Sequence, residues 1–350
     1  MKIGIVTVQD SNNFGSFLQA YALQFTLHQF GHEVVFIRSR SKKYIKDLFF
    51  RTRPIKREYL HLFKFAKENW NGWKKFQRFQ KEQKCFRVLD SYKDEKLDLV
   101  ILGSDEIWNV QTEVFRNPIF YGVGMKPVMA YAVSIGNATI DDMQCIPYEN
   151  FKHISPILVR DAHTSDFLKT IQIETSVVCD PTFLVDKSIF YRPYQNKLFN
   201  GIPFILVYSY GLNNQTVRGI REFAKRNNLR ILSACFPFSW CDGILDCAAL
   251  DFCAVLEQAQ FVFTSTFHGT IFSILNHKKF VSLPQSRKTS DLLEVLKLTD
   301  RLVGDKECDS DVLHEKLVEH IIDYTYADQN IEKMRNNSLN LLKSALKKYE

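Results

Sequence analysis

Residues 261–284 read FVFTSTFHGTIFSILNHKKFVSLP and gather Ser265, Thr266, His268, Gly269 and Thr270 within six positions. A histidine can give or take a proton near neutral pH. Free backbone N–H groups at a helix start suit a phosphate or carboxylate, because orphan amides and the helix dipole both favour an anion. The chemistry such a group could perform is proton transfer beside a bound anion. The local alternative is that Ser265 or Thr266 caps the helix while His268 packs beneath a loop. In GSDEIWN, residues 103–109, Trp108 stands beside Asp105 and Asn109 and reads either as a sugar-stacking platform or as a cover for the core. In QDSNNFGS, residues 9–16, Asn12 and Asn13 offer amides and Gly15 allows close backbone approach, though ordinary turn chemistry uses the same residues.

The elements around these residues alternate. Residues 261–264 form an apolar run, a helical pattern with Ile271, Phe272, Ile274 and Leu275 follows, and residues 280–283 form the next strand. Strand, turn, helix, strand is a βαβ unit whose functional position is the first turn. The N-terminus repeats it, with a strand over 2–8, a helix over 17–30 and a strand over 33–37. The first loop lacks G-x-G-x-x-G, so no dinucleotide is expected. Further strands are predicted over 97–102, 128–135, 154–159 (ending at Arg160 and Asp161), 177–179, 204–209 and 230–235, and another strand-to-helix turn at 286–288. The pattern predicts an α/β chain of two Rossmann-like domains facing across a cleft, the usual home of a ligand. The expected boundaries are a first domain over 1–186, a linker over 187–203, a second domain over 204–310 and a wholly helical tail over 311–350.

Composition bounds the partners. At 350 residues and 45% apolar content, the chain can fill a core in each domain. No apolar run approaches the ~18 residues of a membrane span, and a strand-like IGIVTV follows Lys2 where a leader would stand. Eight cysteines without close pairing fit a reducing, cytoplasmic setting, and the six-residue recurrence of Cys235, Cys241, Cys247 and Cys253 is not a zinc spacing, so no metal is expected. Residues 38–93 hold 18 Lys and Arg against 5 Asp and Glu, a local balance of +13; the remainder of a +7 chain is therefore at −6. A basic helical insertion over about 41–93 carries this charge together with Phe49, Phe50, Trp70, Trp73 and Phe76. It reads as a solvated amphipathic insertion or as a peripheral contact with an anionic membrane or an acidic lipid-linked substrate. No nucleic-acid motif accompanies it.

Several motifs together carry a resemblance. NNFGSFLQAYALQ (12–24), GSDEIWN (103–109), YAVSIG (131–136), VRD (159–161), CDPTFL (179–184), TSTFHGTIFSI (264–274) and SRKTSDLLEVLKLTDRL (286–302) look like those of the polysaccharide pyruvyl transferase family. The likeness runs in order over about residues 2–303. It implies a glycosyltransferase-B-like fold and transfer of a pyruvyl group from phosphoenolpyruvate, a co-substrate rather than a cofactor, to sugar hydroxyls. The product would be a ketal on exopolysaccharide, capsule or a wall polymer, and the acceptor a sugar or lipid-linked saccharide.

By the same resemblance His268 is the general acid, and Arg160, Ser265, Thr266, Gly269, Thr270 and Arg287 bind the donor. Asn13, Phe14, Gln19, Ser104, Asp105, Trp108 and Asn109 fall to the acceptor. One position departs from the pattern: family members often carry arginine two residues before the histidine, where this chain has Thr266. The hydroxyl-rich version would take the anion on hydroxyls and backbone N–H groups. Two other readings share the fold: a transferase using another phosphorylated donor such as a nucleotide sugar, and a non-enzymatic glycan-binding member.

Overall fold

The structure, a computed structural model, describes the chain except residues 12, 51–61, 200 and 237, together with the side chains of 47–50, 62–69, 71 and 72. Asn12 of the first loop, and Phe49, Phe50, Arg51 and Arg53 of the basic insertion, therefore lie outside the described residues or side chains. The chain divides into two compact units, 1–186 with 333–350, and 187–332.

The first unit holds seven parallel strands: β1 (Lys2–Val6), β2 (Glu33–Ile37), β3 (Val88–Leu89), β4 (Leu99–Leu102), β5 (Val128–Val133), β6 (Ile154–Val159) and β7 (Thr175–Val177). Their order is β3-β2-β1-β4-β5-β6-β7. All six residues of β5 and all four of β4 are buried, as expected for strands covered on both faces. The helix Phe14–Gln29 follows β1, with the Asn13 side chain accepting from the Ser16 amide at 2.9 Å as its N-cap. The core gathers Val6, Leu102, Trp108, Tyr121, Val133 and Phe151 with their neighbours.

The second unit holds β8 (Phe204–Tyr208), β9 (Arg230–Ala234), β10 (Gly243–Leu245), β11 (Phe261–Thr264) and β12 (Phe280–Ser282), all parallel, in the order β10-β9-β8-β11-β12. In each sheet the order reverses beside the first strand, between β1 and β4 and between β8 and β11. Open α/β sheets take ligands outside the carboxyl ends of strands at such a switch point.

Three boundaries differ from those expected. Residues 187–203 belong to the second unit rather than forming a separate linker. The tail is not wholly helical: Ser310–His314 and a π turn over Glu315–Glu319 are followed by non-helical residues 320–324 before the helix Thr325–Leu346. The restart is capped locally, by Asp323 Oδ1 accepting from the Thr325 amide at 2.9 Å. From Lys333 on, this helix belongs to the first unit, where Ser338 Oγ accepts from the Cys179 amide and Arg335 Nε donates to the Phe183 carbonyl.

The basic insertion also ends earlier than expected, because β3 falls within it and joins the sheet. Its helices Lys42–Phe50 and Leu62–Glu82 pack on one another. Ile45, Phe79 and Phe86 are buried, and Phe79 stacks on Phe14 at 5.9 Å between centroids. The insertion thus closes over the first unit along one face and is solvated along the other, where Trp70 stands 59% exposed.

Candidate functional site

At the first switch point the strand ends are tied by side chains. Thr7 Oγ1 donates to the Ser104 carbonyl at 2.8 Å, Gln19 Nε2 donates to Thr7 Oγ1 at 3.1 Å, and Ser16 Oγ donates to Asp105 Oδ2 at 3.0 Å. Gly103 permits the turn after β4: its φ is +116°, and a Cβ there would lie 2.1 Å from the Tyr131 carbonyl oxygen. Asp105 is half-buried, and Asn109 Nδ2 donates to Glu106 Oε2 at 3.1 Å.

Arg160 ends β6 among carboxylates. Its Nη1 lies 3.1 Å from Asp180 Oδ2 and 3.7 Å from Asp105 Oδ1, with only 2% of the side chain exposed. Burial alone would lower its pKa, but the carboxylates of Asp105, Asp180, Glu106 and Asp161 outweigh it and hold the guanidinium above its ordinary value. Asp180 is pinned in turn, its Oδ1 accepting from the Thr182 amide and hydroxyl at 3.0 and 2.8 Å.

Several expectations in this unit are corrected. Arg160 is not an open fork for a donor anion, since four acidic groups already balance its charge and would repel a second anion. Trp108 is no sugar platform: it is fully buried, its Nε1–H donates to the Phe120 carbonyl at 2.8 Å, and Phe151 meets it edge-on. Phe14 is core, under Phe79. Gln19 and Ser104 are buried at the switch point, where Gln19 Nε2 also donates to the Ser16 carbonyl and Ser104 takes part through its own carbonyl oxygen. Asn13 caps a helix, while Asp105 and Asn109 stay half-buried at the strand edge.

The second switch point uses the same device. Thr264 Oγ1 donates to the Tyr208 carbonyl at 2.7 Å, Ser209 Oγ donates to Ser265 Oγ at 2.6 Å, and Ser265 Oγ also accepts from the Tyr210 amide at 2.9 Å. Thr266 is the N-cap of the helix Phe267–Leu275, its Oγ1 accepting from the Gly269 amide at 2.9 Å. Thr270 Oγ1 lies 2.9 Å from Ser282 Oγ and bonds back to the Thr266 carbonyl. The capping role offered as the local alternative therefore falls to Thr266, while Ser265 Oγ, the Gly269 amide and Thr270 Oγ1 are engaged in bonds within the protein. Gly269 is required by fit, because a Cβ there would lie 2.1 Å from Thr264 Oγ1 and 2.6 Å from Thr266 Oγ1.

His268 stands in the first turn of that helix and is buried, with the Phe267 ring edge-on at 5.4 Å. Arg287 opens the next helix, Arg287–Val295, with its side chain 77% exposed and 3.8 Å from Asp291. The neighbouring cation turned inward is Lys288, whose Nζ lies 4.8 Å from the centroid of the Phe267 ring. The sequence did not single out Lys288. Asp180, Thr7 and Ser209 were also missed; each follows the carboxyl end of a strand, and that position was the available signal.

No curated protein matches the sequence. The family model described as polysaccharide pyruvyl transferase matches residues 13–287. The chain belongs to the polysaccharide pyruvyl transferase family. Membership makes it an enzyme of the transferase class, and the fold agrees. A putative UDP-N-acetylglucosamine 2-epimerase from Listeria monocytogenes superposes at a TM-score of 0.56 and 11% identity, covering 99% of this chain and 96% of the other. MnaA of S. aureus, solved with UDP, gives 0.53 at 13% identity over 98% and 97%, and a UDP-N-acetylglucosamine 2-epimerase from Rickettsia bellii gives 0.56 at 10% over 99% and 96%. At such identities these structures share the fold alone: an α/β, glycosyltransferase-B-like pair of Rossmann-like units. Among the described residues no helix is long and apolar enough to cross a membrane, and no group of His, Cys, Asp and Glu is placed to hold a metal.

Proposed function

We propose that this family member transfers a pyruvyl group from phosphoenolpyruvate to hydroxyls of a sugar, forming a ketal on a cell-surface polysaccharide or its precursor at the cytoplasmic side of the membrane. The observation that carries the reading is His268 in the first turn of a helix at the second switch point, within a chain of this family. A proton from the imidazole to carbon 3 of the enol turns the methylene into a methyl group and leaves carbon 2 electron-poor. A sugar hydroxyl adds there and the phosphate departs with its bridging oxygen. A second hydroxyl closes the ketal, and the two hydroxyl protons restore the acid and the phosphate. Lys288, with its Nζ 4.8 Å from the centroid of the Phe267 ring, supplies positive charge beside this turn for the donor's phosphate or carboxylate.

The test is inorganic phosphate release from phosphoenolpyruvate in the presence of sugar acceptors. His268→Ala should lower turnover by about 10²–10⁴-fold, the usual worth of a general acid. Near-wild-type turnover would remove the acid role from His268. Thermal shift separates the other readings: stabilisation by a nucleotide sugar and not by phosphoenolpyruvate points to another donor, and stabilisation by glycan alone to a binding protein.

A further inference from the structure

The insertion roofs a pocket of about 510 Å³ in the first unit, beside the carboxyl ends of β1 and β2. That volume is within the usual range for a small-molecule site. Its walls carry Arg38, Lys42, Lys46 and Lys84. Arg38 Nε is held by Asp90, whose carboxylate also attracts Lys42, while Lys46 and Lys84 form no ion pair among the described residues. Ammonium groups gathered around one concavity repel one another, and an anion relieves that repulsion.

The floor is different in kind. Gln9 lines the pocket at 2% exposure, and its Oε1 is buried with no hydrogen-bond partner among the described residues. Asp10 gives one carboxylate oxygen to Arg40, while its Oδ2 is likewise buried and unmatched. A buried acceptor without a donor is destabilising, so a site that supplies O–H groups is favoured. Phe76 and Phe86 add apolar wall. Cations at the rim, orphan acceptors on the floor and aromatic carbon between them match a molecule with a phosphate at one end and hydroxyls at the other.

We propose that this pocket binds a phosphorylated saccharide, with its phosphate on Lys42, Lys46 and Lys84 and its hydroxyls donating to Gln9 Oε1 and Asp10 Oδ2. Its assignment as the acceptor rests on the transferase reading above; the binding itself does not. The phosphate could belong to a soluble sugar phosphate or to a lipid-linked one, and the surface of an anionic bilayer offers the same charge without the sugar.

Calorimetry with N-acetylglucosamine 1-phosphate, N-acetylglucosamine and inorganic phosphate tests it. The sugar phosphate should bind at least tenfold more tightly than either of the others. The Lys46→Ser/Lys84→Ser variant, altered at two exposed positions, should lose tenfold or more, with Lys46→Ser alone as a milder variant if the pair melts early. Gln9→Leu should weaken the sugar phosphate severalfold and leave inorganic phosphate unchanged. Equal affinity for all three probes would overturn the proposal, as would full binding by a well-folded Lys46→Ser/Lys84→Ser protein. So would binding to phosphatidylglycerol vesicles without any binding of the soluble sugar phosphate. Lost binding with phosphate release from phosphoenolpyruvate intact removes the pocket alone, whereas retained binding without phosphate release removes the transferase reading alone.

Discussion

Arg160 shows how a residue can match a motif and yet serve another end. Its partners arrive from three places in the chain: Asp105 after β4, Asp161 at the start of the next helix, and Asp180 after β7. A sequence shows an arginine at a strand end; it does not show that separate turns converge on it. Trp108 was ambiguous for the same reason, because burial is decided by Tyr121 and Phe151 packed against it rather than by its own neighbours. Arg160→Met should leave uncompensated buried carboxylates and destabilise the protein by about 3–5 kcal/mol, read by urea unfolding. The Arg160→Met/Asp180→Leu pair should recover part of that loss. An Arg160→Met protein as stable as the wild type, with weakened phosphoenolpyruvate binding, would return the residue to the donor site.

At the scale of elements, the two sheets solve one problem twice. A threonine at the switch point donates to the backbone of the neighbouring strand end, Thr7 to Ser104 in one sheet and Thr264 to Tyr208 in the other. The strand and helix from Phe261 to Leu275 were legible because an apolar run, a small-residue turn and a helical stripe are local signals. The short edge strands β3 and β10 were not, since two or three residues carry little pattern without the partner that pairs them. Thr266→Ala removes the N-cap bond and should lower stability by about 1 kcal/mol while leaving phosphoenolpyruvate affinity within twofold. A large loss of affinity with unchanged melting would mean that the hydroxyl meets the donor. Gly269→Ala should be worse than Thr266→Ala in melting temperature, because the buried, hydrogen-bonded side chains of both Thr264 and Thr266 must shift to admit the methyl group.

For the whole molecule, the decisive features are the route of the chain and the distribution of charge. The last helix begins in the second unit and ends in the first, so the first unit is assembled from two separate stretches of sequence. No composition shift marks that return; contacts such as Ser338 with Cys179, 159 residues apart, create it. Charge, by contrast, was fully legible: residues 38–93 at +13 against −6 elsewhere. Trp70 and Trp73 stand exposed on that basic insertion, where Lys74 Nζ lies 5.4 Å from the centroid of the Trp70 ring. Each Lys or Arg near an anionic surface contributes about 1 kcal/mol, screened over roughly 8–10 Å at physiological salt. The protein should therefore sediment with phosphatidylglycerol vesicles at low salt and leave them as salt is raised, while neutral vesicles leave it in solution. Trp70→Ser/Trp73→Ser should weaken that association without changing sugar-phosphate binding, because neither tryptophan lines the pocket. A wild-type protein that stays in the supernatant at low salt would confine the role of the basic charge to the pocket beneath it.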